Sequence, residues 1–385
     1  MRTKEAGPVE ETATGAPLDP AGRRGENPLM RVITTRREGR EHRPGRAWTG
    51  ILAWVTVCAA LVAPRPAPAA APDFAKAETA LTRFLRENEV HAATFAISRG
   101  GELLYNHAFG FADAALPQPL TPAARMRIAS ISKPMTAAAV RTLVREGRLR
   151  LDDPVVKYLP KPAFPPPTDP RWNRITIAEI LDHKGGWDRG MAGDPMFQDH
   201  QIKEDLQEET ITPAIVVRWM LGRNLQFNPG ERSAYSNFGY CLLGVVIEQI
   251  THHPYRDEMR RSVFNPAGMR TITLSSSRPE QRAAEEIWYD FGREGEHFLI
   301  EPMEAHGGWV CTAADLTRFL DHFWINGEPR SGGTGTWGFY GSLPGTTSVA
   351  VQRPDGLNYA ILLNKRDPGG DWNGKLRTLI DRALP

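Results

Sequence analysis

Ser130-Ile131-Ser132-Lys133 begins an apolar, helix-like run that continues to Glu146. One turn of an α-helix brings residues i and i+3 to the same face, so the Lys133 amine can reach the Ser130 hydroxyl. A serine hydroxyl is a weak nucleophile, and a desolvated lysine beside it can take its proton. The pair therefore predicts a nucleophilic site. The alternative is a serine near a helix start followed by a solvated lysine.

Two further segments lie downstream. Tyr235-Ser236-Asn237 follows a turn-rich stretch at 228–231 and precedes an apolar run at 238–250. A strand-like stretch, Trp337-Gly338-Phe339-Tyr340-Gly341-Ser342, leads into Leu343-Pro344-Gly345-Thr346. Motifs that recur in a fixed order are more specific than any one of them alone.

Together the three segments resemble the motifs of the penicillin-recognising serine hydrolases. This family includes class C β-lactamases, D-alanyl-D-alanine carboxypeptidases, D-aminopeptidases and related esterases. Its order along the chain is S-x-x-K, then Y-x-N, then a strand with Lys or His before x-Gly. Supporting matches are I-L-D-H-K-G-G at 180–186, F-N-P-G at 227–230 and G-G-W at 307–309.

The resemblance implies a role for each matched residue. Ser130 would be the nucleophile, and Lys133 with Tyr235 would form a base system in which either group removes the serine proton. Asn237 would hold Lys133 or a substrate carbonyl through its amide. Taken by themselves, Tyr235 also fits a core aromatic and Asn237 a helix N-cap.

The third segment would line the substrate site. The backbone N–H groups of Ser130 and Ser342 would form an oxyanion hole. Gly341 would let substrate approach the backbone, although a glycine in a strand can also mark a bulge. These roles again come from the resemblance.

Phe339 departs from the family pattern, because it stands where a Lys or His normally binds a substrate carboxylate. We expect one charge-assisted contact, about 1.5–3 kcal/mol, to be absent, and neutral substrates to be favoured. Phe339 and Tyr340 instead indicate an apolar acyl pocket; the alternative is that they pack the sheet. Three tryptophans are candidates for the same pocket: Trp187, Trp309 and Trp337.

The N-terminal residues 1–71 are typical of an extension with a signal peptide. Several arginines between 31 and 46 precede an apolar run at 47–63, and Ala67-Pro68-Ala69 offers a cleavage site. We expect export to the cell envelope or medium with cleavage near Ala70, and membrane attachment only if the segment is retained as an anchor. Residues 72–385 would form the hydrolase domain.

Composition excludes several classes of partner and cofactor. Beyond residue 71 the chain holds 36 basic and 38 acidic residues, which gives no electrostatic reason to expect nucleic acid. Cys241 and Cys311 lack the spacing of a zinc site and fit buried thiols better than a disulfide. Three histidines have no ligand partner at useful spacing: His252, His253 and His306. We therefore expect no metal and no cofactor, and a small-molecule or peptide substrate.

The order of predicted elements indicates an α+β fold. A helix at 78–88 and strands at 93–98 and 103–109 come first. Residues 176–269 are typical of several helices without a strand, including an amphipathic helix at 212–221. Strands are then predicted near 286–289, 336–341, 346–352 and 357–364, with helices at 313–323 and 371–384. We expect an antiparallel sheet flanked by helices, with an all-helical lobe inserted at about 150–280.

Three functions are compatible with this sequence. The favoured one is an exported serine hydrolase that cleaves an ester or amide through an acyl-enzyme on Ser130. The same residues would serve a peptidoglycan D,D-peptidase or a β-lactamase. A third possibility is a penicillin-binding-like sensor or scaffold whose third motif is degenerate.

Overall fold

The computed structural model of the protein describes residues 73–112, 118–296, 298–330 and 335–385. The predicted N-terminal extension and signal peptide therefore lie outside the described residues. Within the described part of the chain, no helix combines the length and the hydrophobicity needed to cross a bilayer.

An antiparallel five-stranded sheet forms the centre of the fold, in the order β2-β1-β8-β7-β6, and a small three-stranded sheet has the order β3-β5-β4. The strands are β1 (Ala92–Arg99), β2 (Glu102–Gly110), β3 (Met126–Arg127), β4 (Thr273–Leu274), β5 (Trp309–Cys311), β6 (Trp337–Leu343), β7 (Thr346–Gln352) and β8 (Leu357–Leu363). In the large sheet β6 is an edge strand, so one row of its backbone groups faces away from β7.

Helices cover both faces of the large sheet. They are α1 (Ala75–Glu87), α2 (Ser132–Arg145), α3 (Ile177–Leu181), α4 (Arg189–Ala192), α5 (Asp199–Leu206), α6 (Pro213–Leu221), α7 (Asn237–Thr251), α8 (Tyr255–Met259), α9 (Ala313–His322) and α10 (Trp372–Ala383). Because side chains alternate along a strand, Phe95 and Ile97 of β1 pack with α1 and α10, whereas Ala92 and Ala96 join the core on the α2 and α9 side.

The predicted α+β architecture is confirmed. No strand occurs between residues 176 and 269, all of which the structure describes, and α3 to α8 lie there. The predicted helix at 212–221 begins one residue later, because the Thr212 hydroxyl accepts a hydrogen bond from Ile215 N and so caps α6. The limits of the helical lobe as a domain stay a prediction.

The strand predicted near 286–289 is wrong. Pairing starts there, since Arg125 N donates to Glu285 O and Ile287 N donates to Arg125 O. The pairing stops there because Arg127 N, the next N–H on that side, donates to the Tyr289 hydroxyl at 3.0 Å and not to a backbone carbonyl. Only isolated bridges result.

Cys241 and Cys311 are free, buried thiols, as predicted. Burial raises the pKa of each thiol, so both stay protonated at neutral pH. They contribute packing to the core.

Candidate active site

Ser130 lies on a 3-10 turn, Ala129–Ile131, directly before α2. The helix therefore begins at Ser132, two residues later than predicted, but Ser130 and Lys133 keep their three-residue spacing. Ser130 is partly exposed. Ala129 has φ +46°, a left-handed conformation that is unfavourable for alanine and that sets the direction of the turn.

Lys133 is fully buried beneath Ser130. Its ammonium donates hydrogen bonds to Ser130 Oγ at 3.0 Å, Asn237 Oδ1 at 2.7 Å and the His306 carbonyl at 3.1 Å. A buried ammonium is costly unless acceptors replace its water, and these oxygens do so. The same contacts aim Lys133 at the serine.

Tyr235 approaches Ser130 from the segment that precedes α7. Its hydroxyl lies 2.7 Å from Ser130 Oγ, and Lys133 Nζ is 4.7 Å from the centre of its ring. The His183 ring packs against the same tyrosine, with ring centres 4.7 Å apart. Two groups able to exchange a proton thus meet at one serine oxygen.

Asn237 joins this group from the first turn of α7. It does not cap the helix, because the cap is Ser236, whose hydroxyl accepts from Gly239 N at 3.1 Å. The Asn237 amide is fixed from both ends: Oδ1 accepts from Lys133, and Nδ2 donates to Asp194 Oδ2 at 2.6 Å. A carboxylate can only accept, so Asp194 determines which end of the amide faces Lys133.

Asp194 and His183 were not predicted from sequence as site residues. His183 Nδ1 accepts from Ser236 N at 3.2 Å and thereby holds the start of α7 in place. Burial, with the nearby Lys133 and Arg189 charges, lowers the pKa of His183 to about 3, so the ring is neutral and can accept. In the sequence, His183 was marked only by its place in the segment that resembles L-L-x-H. Asp194 lies in a loop, and no motif or spacing in the sequence pointed to it.

Strand β6 lies against the turn that carries Ser130. A Cβ on Gly341 would overlap the Ile128 carbonyl, so only glycine permits this approach. The same carbonyl accepts from Ser348 Oγ at 2.8 Å, which ties the turn to β7. Gly341 thus sets the distance between strand and turn.

The register of β6 determines where the Ser342 N–H points. Leu343 pairs with Thr346 across a two-residue turn, and Ser342 pairs with Thr347. Since hydrogen-bonded and non-hydrogen-bonded pairs alternate, and the turn-closing pair is hydrogen-bonded, the Ser342 N–H is directed away from β7 across the open edge. That direction suits the predicted oxyanion donor, whose role stays a prediction.

The predicted substrate contact of Tyr340 needs correction. Side chains alternate along β6, so Tyr340 lies on the sheet face that packs α1 and α10, opposite to Gly341. Its hydroxyl accepts from Arg377 Nη1 at 3.1 Å on that face. Phe339 shares the Gly341 side and is partly buried against the main core together with Trp337.

Two of the aromatic residues predicted for the pocket, Trp187 and Trp309, lie in the interior. Trp309 is buried against Phe264, with ring centres 4.7 Å apart. Trp187 is buried against Trp172 and Phe238 in the helical core. Both indoles serve mainly to pack the interior.

A cavity of about 430 Å³ opens instead beside Asn237, between loops of the helical region. Trp187 is one of its apolar residues, and nine of its sixteen lining residues are polar or charged. The polar lining consists of Asp188, Arg189, Asp194, Gln198, Arg223, Asn224, Gln226, Ser236 and Asn237. In the described residues, no group of three or more His, Cys, Asp and Glu side chains could hold a metal ion.

The fold and this group of side chains define the class of active-site-serine hydrolases with an antiparallel sheet. The family model described as Beta-lactamase matches residues 75–376, and the chain belongs to that family.

Curated relatives include an esterase and a penicillin-binding protein. Esterase EstB of Burkholderia gladioli is 31% identical over 284 residues, which cover 69% of this chain and 66% of the esterase. Penicillin-binding protein 4* of Bacillus subtilis (strain 168) is 31% identical over 194 residues, 50% of this chain and 40% of that protein. The chain thus matches less than two thirds of the length of either relative.

Solved structures share the fold. D-amino acid amidase from Ochrobactrum anthropi SV3 has a TM-score of 0.63 at 22% identity, covering 80% of this chain and 98% of the amidase. The octameric penicillin-binding protein homologue from Pyrococcus abyssi has a TM-score of 0.60 at 22% identity, covering 76% and 74% of the two chains. At these identities the likeness concerns the fold alone.

Proposed function

We propose that the protein hydrolyses esters or amides through an acyl-enzyme on Ser130. The observation that carries this proposal is the position of Ser130 Oγ, 3.0 Å from Lys133 Nζ and 2.7 Å from the Tyr235 hydroxyl. Both distances are within the range for direct proton transfer. The relation to an esterase over most of the chain supports the same reading.

In the first half-reaction Ser130 Oγ attacks the substrate carbonyl carbon, and its proton passes to the member of the Lys133–Tyr235 pair that is deprotonated, either a neutral Lys133 amine or a Tyr235 phenolate. The carbonyl oxygen becomes an oxyanion, which the backbone N–H groups of Ser130 and Ser342 would stabilise. The bond to the leaving group then breaks, and the pair returns the proton to the departing alcohol or amine. In the second half-reaction water attacks the acyl carbon and gives its proton to the same base. The bond to Ser130 Oγ then breaks, the proton returns to Oγ, and the acid is released.

A substrate panel tests this proposal. Aryl esters, amino-acid amides and a labelled β-lactam are offered to the protein and to Ser130→Ala, and turnover and covalent labelling are measured. We expect ester or amide turnover that Ser130→Ala abolishes. Labelling by the β-lactam without ester or amide turnover would favour a D,D-peptidase or β-lactamase, and neither reaction would favour a non-catalytic sensor.

We also propose that the protein is exported. The apolar run at 47–63 after clustered arginines, followed by small residues at 67–71, supports this. Mass analysis of the N-terminus of secreted protein is the test. We expect a start close to Ala70, and a mature start before residue 47 would contradict the proposal.

A further inference from the structure

Phe197 is a large apolar side chain that stays exposed close to the candidate active site. In the part of the chain that the structure describes, the large apolar side chains left exposed are Leu103, Phe111, Met191 and Phe197. Leu103 and Phe111 lie on β2 or directly after it, at the sheet edge opposite to β6. A single exposed apolar residue is common on protein surfaces, so the surroundings of Phe197 decide whether it has a function.

Asp194 ties Phe197 to the proton-transfer group. The short 3-10 turn that ends at Phe197 begins after Asp194, whose Oδ1 accepts from Met196 N at 3.1 Å. The other oxygen of this carboxylate accepts from Asn237 Nδ2 at 2.6 Å, and Asn237 Oδ1 accepts from Lys133. One carboxylate therefore fixes both the turn that carries Phe197 and the amide that contacts Lys133.

Phe298 meets Phe197 from the other side of the site. The centres of the two rings are 6.2 Å apart, and their planes cross at 62°, an edge-to-face contact. Phe298 belongs to a buried apolar cluster with Ala129, Ile300, Met303 and Leu343. Within this cluster Ala129 directly precedes Ser130, and Leu343 directly follows Ser342 on β6. The two rings thus join a loop fixed to Lys133 with the apolar residues beside the nucleophile turn.

The buried Arg127 makes Phe298 the fixed partner of this pair. The Arg127 guanidinium carbon lies 5.5 Å from the centre of the Phe298 ring, and Nη2 donates to Glu296 Oε1 at 2.7 Å. These contacts hold the segment that carries Phe298 against a residue only three positions before Ser130. Phe298 is 6% exposed, whereas Phe197 is 43% exposed. Phe197 therefore contributes most of the apolar surface that a ligand can still cover.

We propose that Phe197 and Phe298 form a subsite for an apolar group carried by the substrate, and that Phe197 determines which chain length is favoured. The occupant is an alkyl or aryl part of the substrate itself, because the two rings continue the apolar cluster beside Ser130 and β6. Burial of such a group against Phe197 removes apolar surface of both from water. This inference rests on the proposed hydrolysis at Ser130. It agrees with Phe339, which leaves β6 without a cation for a charged group at that position.

The test uses two series of neutral esters. In one series the acyl chain grows from acetyl to octanoyl on a constant nitrophenol leaving group, and in the other an alkyl alcohol grows from ethyl to octyl on a constant acetyl group. The increase of kcat/KM per added methylene is measured for the wild-type protein, Phe197→Ala and Phe197→Leu.

A chain-length preference that requires Phe197 is the expected result. Full burial of one methylene is worth about fourfold, so on this partly open surface we expect an increase of about two- to threefold per methylene in at least one series. Phe197→Ala should reduce the increase to less than about 1.5-fold, and Phe197→Leu should keep part of it. The series that responds identifies the side of the ester that occupies the subsite.

Phe111→Ala is the matched control. Phe111 has the same side chain and is 47% exposed, but it lies at the sheet edge opposite to β6. Its removal should leave the increase per methylene at the wild-type value, and thermal unfolding confirms that each variant is folded. Equal increases in wild type and Phe197→Ala for both series would overturn the proposal, and so would an equal loss in Phe197→Ala and Phe111→Ala.

Binding separates this inference from the proposed function. In the Ser130→Ala protein, which has no serine nucleophile at that position, calorimetry measures the affinity for the esters of both series with and without Phe197→Ala. An affinity that rises with chain length and requires Phe197, in a protein whose wild-type form turns over no ester, would support the subsite and contradict the proposed reaction. Ester turnover with rates and affinities that do not depend on Phe197 would do the reverse.

Discussion

At the scale of single residues, the site depends on the burial of Lys133 and on the acceptors around it. The Ser130 contact was predictable because it is local, three residues along one turn. Asn237 and the His306 carbonyl reach the ammonium only through the tertiary fold. The resemblance to a family indicated Asn237, but no pattern in the chain pointed to Asp194, which orients that amide.

Lys133 and Tyr235 should act as one proton-transfer unit, because both contact Ser130 Oγ and their charges interact. Lys133→Ala and Tyr235→Phe should each lower turnover by at least about 10². The double variant should lose much less than the product of the two effects. Steady-state kinetics of the four proteins on one ester gives the comparison, with circular dichroism to confirm folding.

Tyr240→Phe is the matched control for that cycle. The centre of the Tyr240 ring is 6.0 Å from Lys133 Nζ, but the Tyr240 hydroxyl donates to the Leu181 carbonyl. The turnover of the Tyr240→Phe protein should therefore stay within tenfold of the wild-type value. Multiplicative losses in the double variant would show that Lys133 and Tyr235 act independently, and a near-normal Tyr235→Phe would return Tyr235 to a packing role.

At the scale of elements, strand β6 shows what a sequence pattern can and cannot specify. Its position at 337–343 was predictable from its alternation and its turn, to within two residues. Its place at the sheet edge and its closeness to the 3-10 turn come from pairing with β7 and from tertiary packing. The assignment of Tyr340 to the substrate side failed because the face of a strand depends on which layer covers it.

The spacing between β6 and the nucleophile turn should be sensitive to a single methyl group at Gly341. A Cβ there would overlap the Ile128 carbonyl, which is backbone and cannot move aside without moving the turn. We expect Gly341→Ala to lower turnover by at least about tenfold, through displacement of the oxyanion donor from Ser130. Kinetics and thermal unfolding measure the effect.

Gly338→Ala on the same strand is the control. Its Cβ would come within 2.6 Å of Arg377 Nη1, the end of a flexible side chain on the opposite face. That side chain can shift, so we expect turnover close to wild type. Equal losses in the two variants would mean that strand perturbation in general, and not the approach of Gly341 to the turn, controls activity.

At the scale of the whole molecule, the α+β architecture was predictable because period-2 and period-3.6 patterns occupy separate parts of the chain. The polar contacts in the interior were not predictable from these patterns. A network around the buried Arg127 replaced a predicted strand at 286–289, and a charged cavity that was not predicted lies beside Asn237. Both depend on side chains brought together from distant segments.

Glu304 should make the stability of the fold depend on pH. Burial, together with the Glu248 carboxylate, raises its pKa to about 7 from a usual 4.5. A carboxyl with a raised pKa in the folded state binds its proton more tightly there. Its contribution is therefore fully present below pH 4.5 and is lost as pH rises through 7. Relative to Glu304→Gln, the free energy of unfolding of wild type should fall by up to roughly 3 kcal/mol over this range. Denaturant unfolding at pH 5 and pH 8 checks it, and a difference independent of pH would contradict the assignment.

The central claim, that Ser130 is acylated, can be tested directly by mass spectrometry of the protein quenched during turnover of an activated ester. We predict one acyl adduct, which fragment ions assign to Ser130. Ser132→Ala should still carry the adduct, because the Ser132 hydroxyl is buried and donates to the Ala129 carbonyl. Ser130→Ala should carry none and should not turn over the ester. An adduct on Ser132 or Ser236, or turnover that survives Ser130→Ala, would contradict the account.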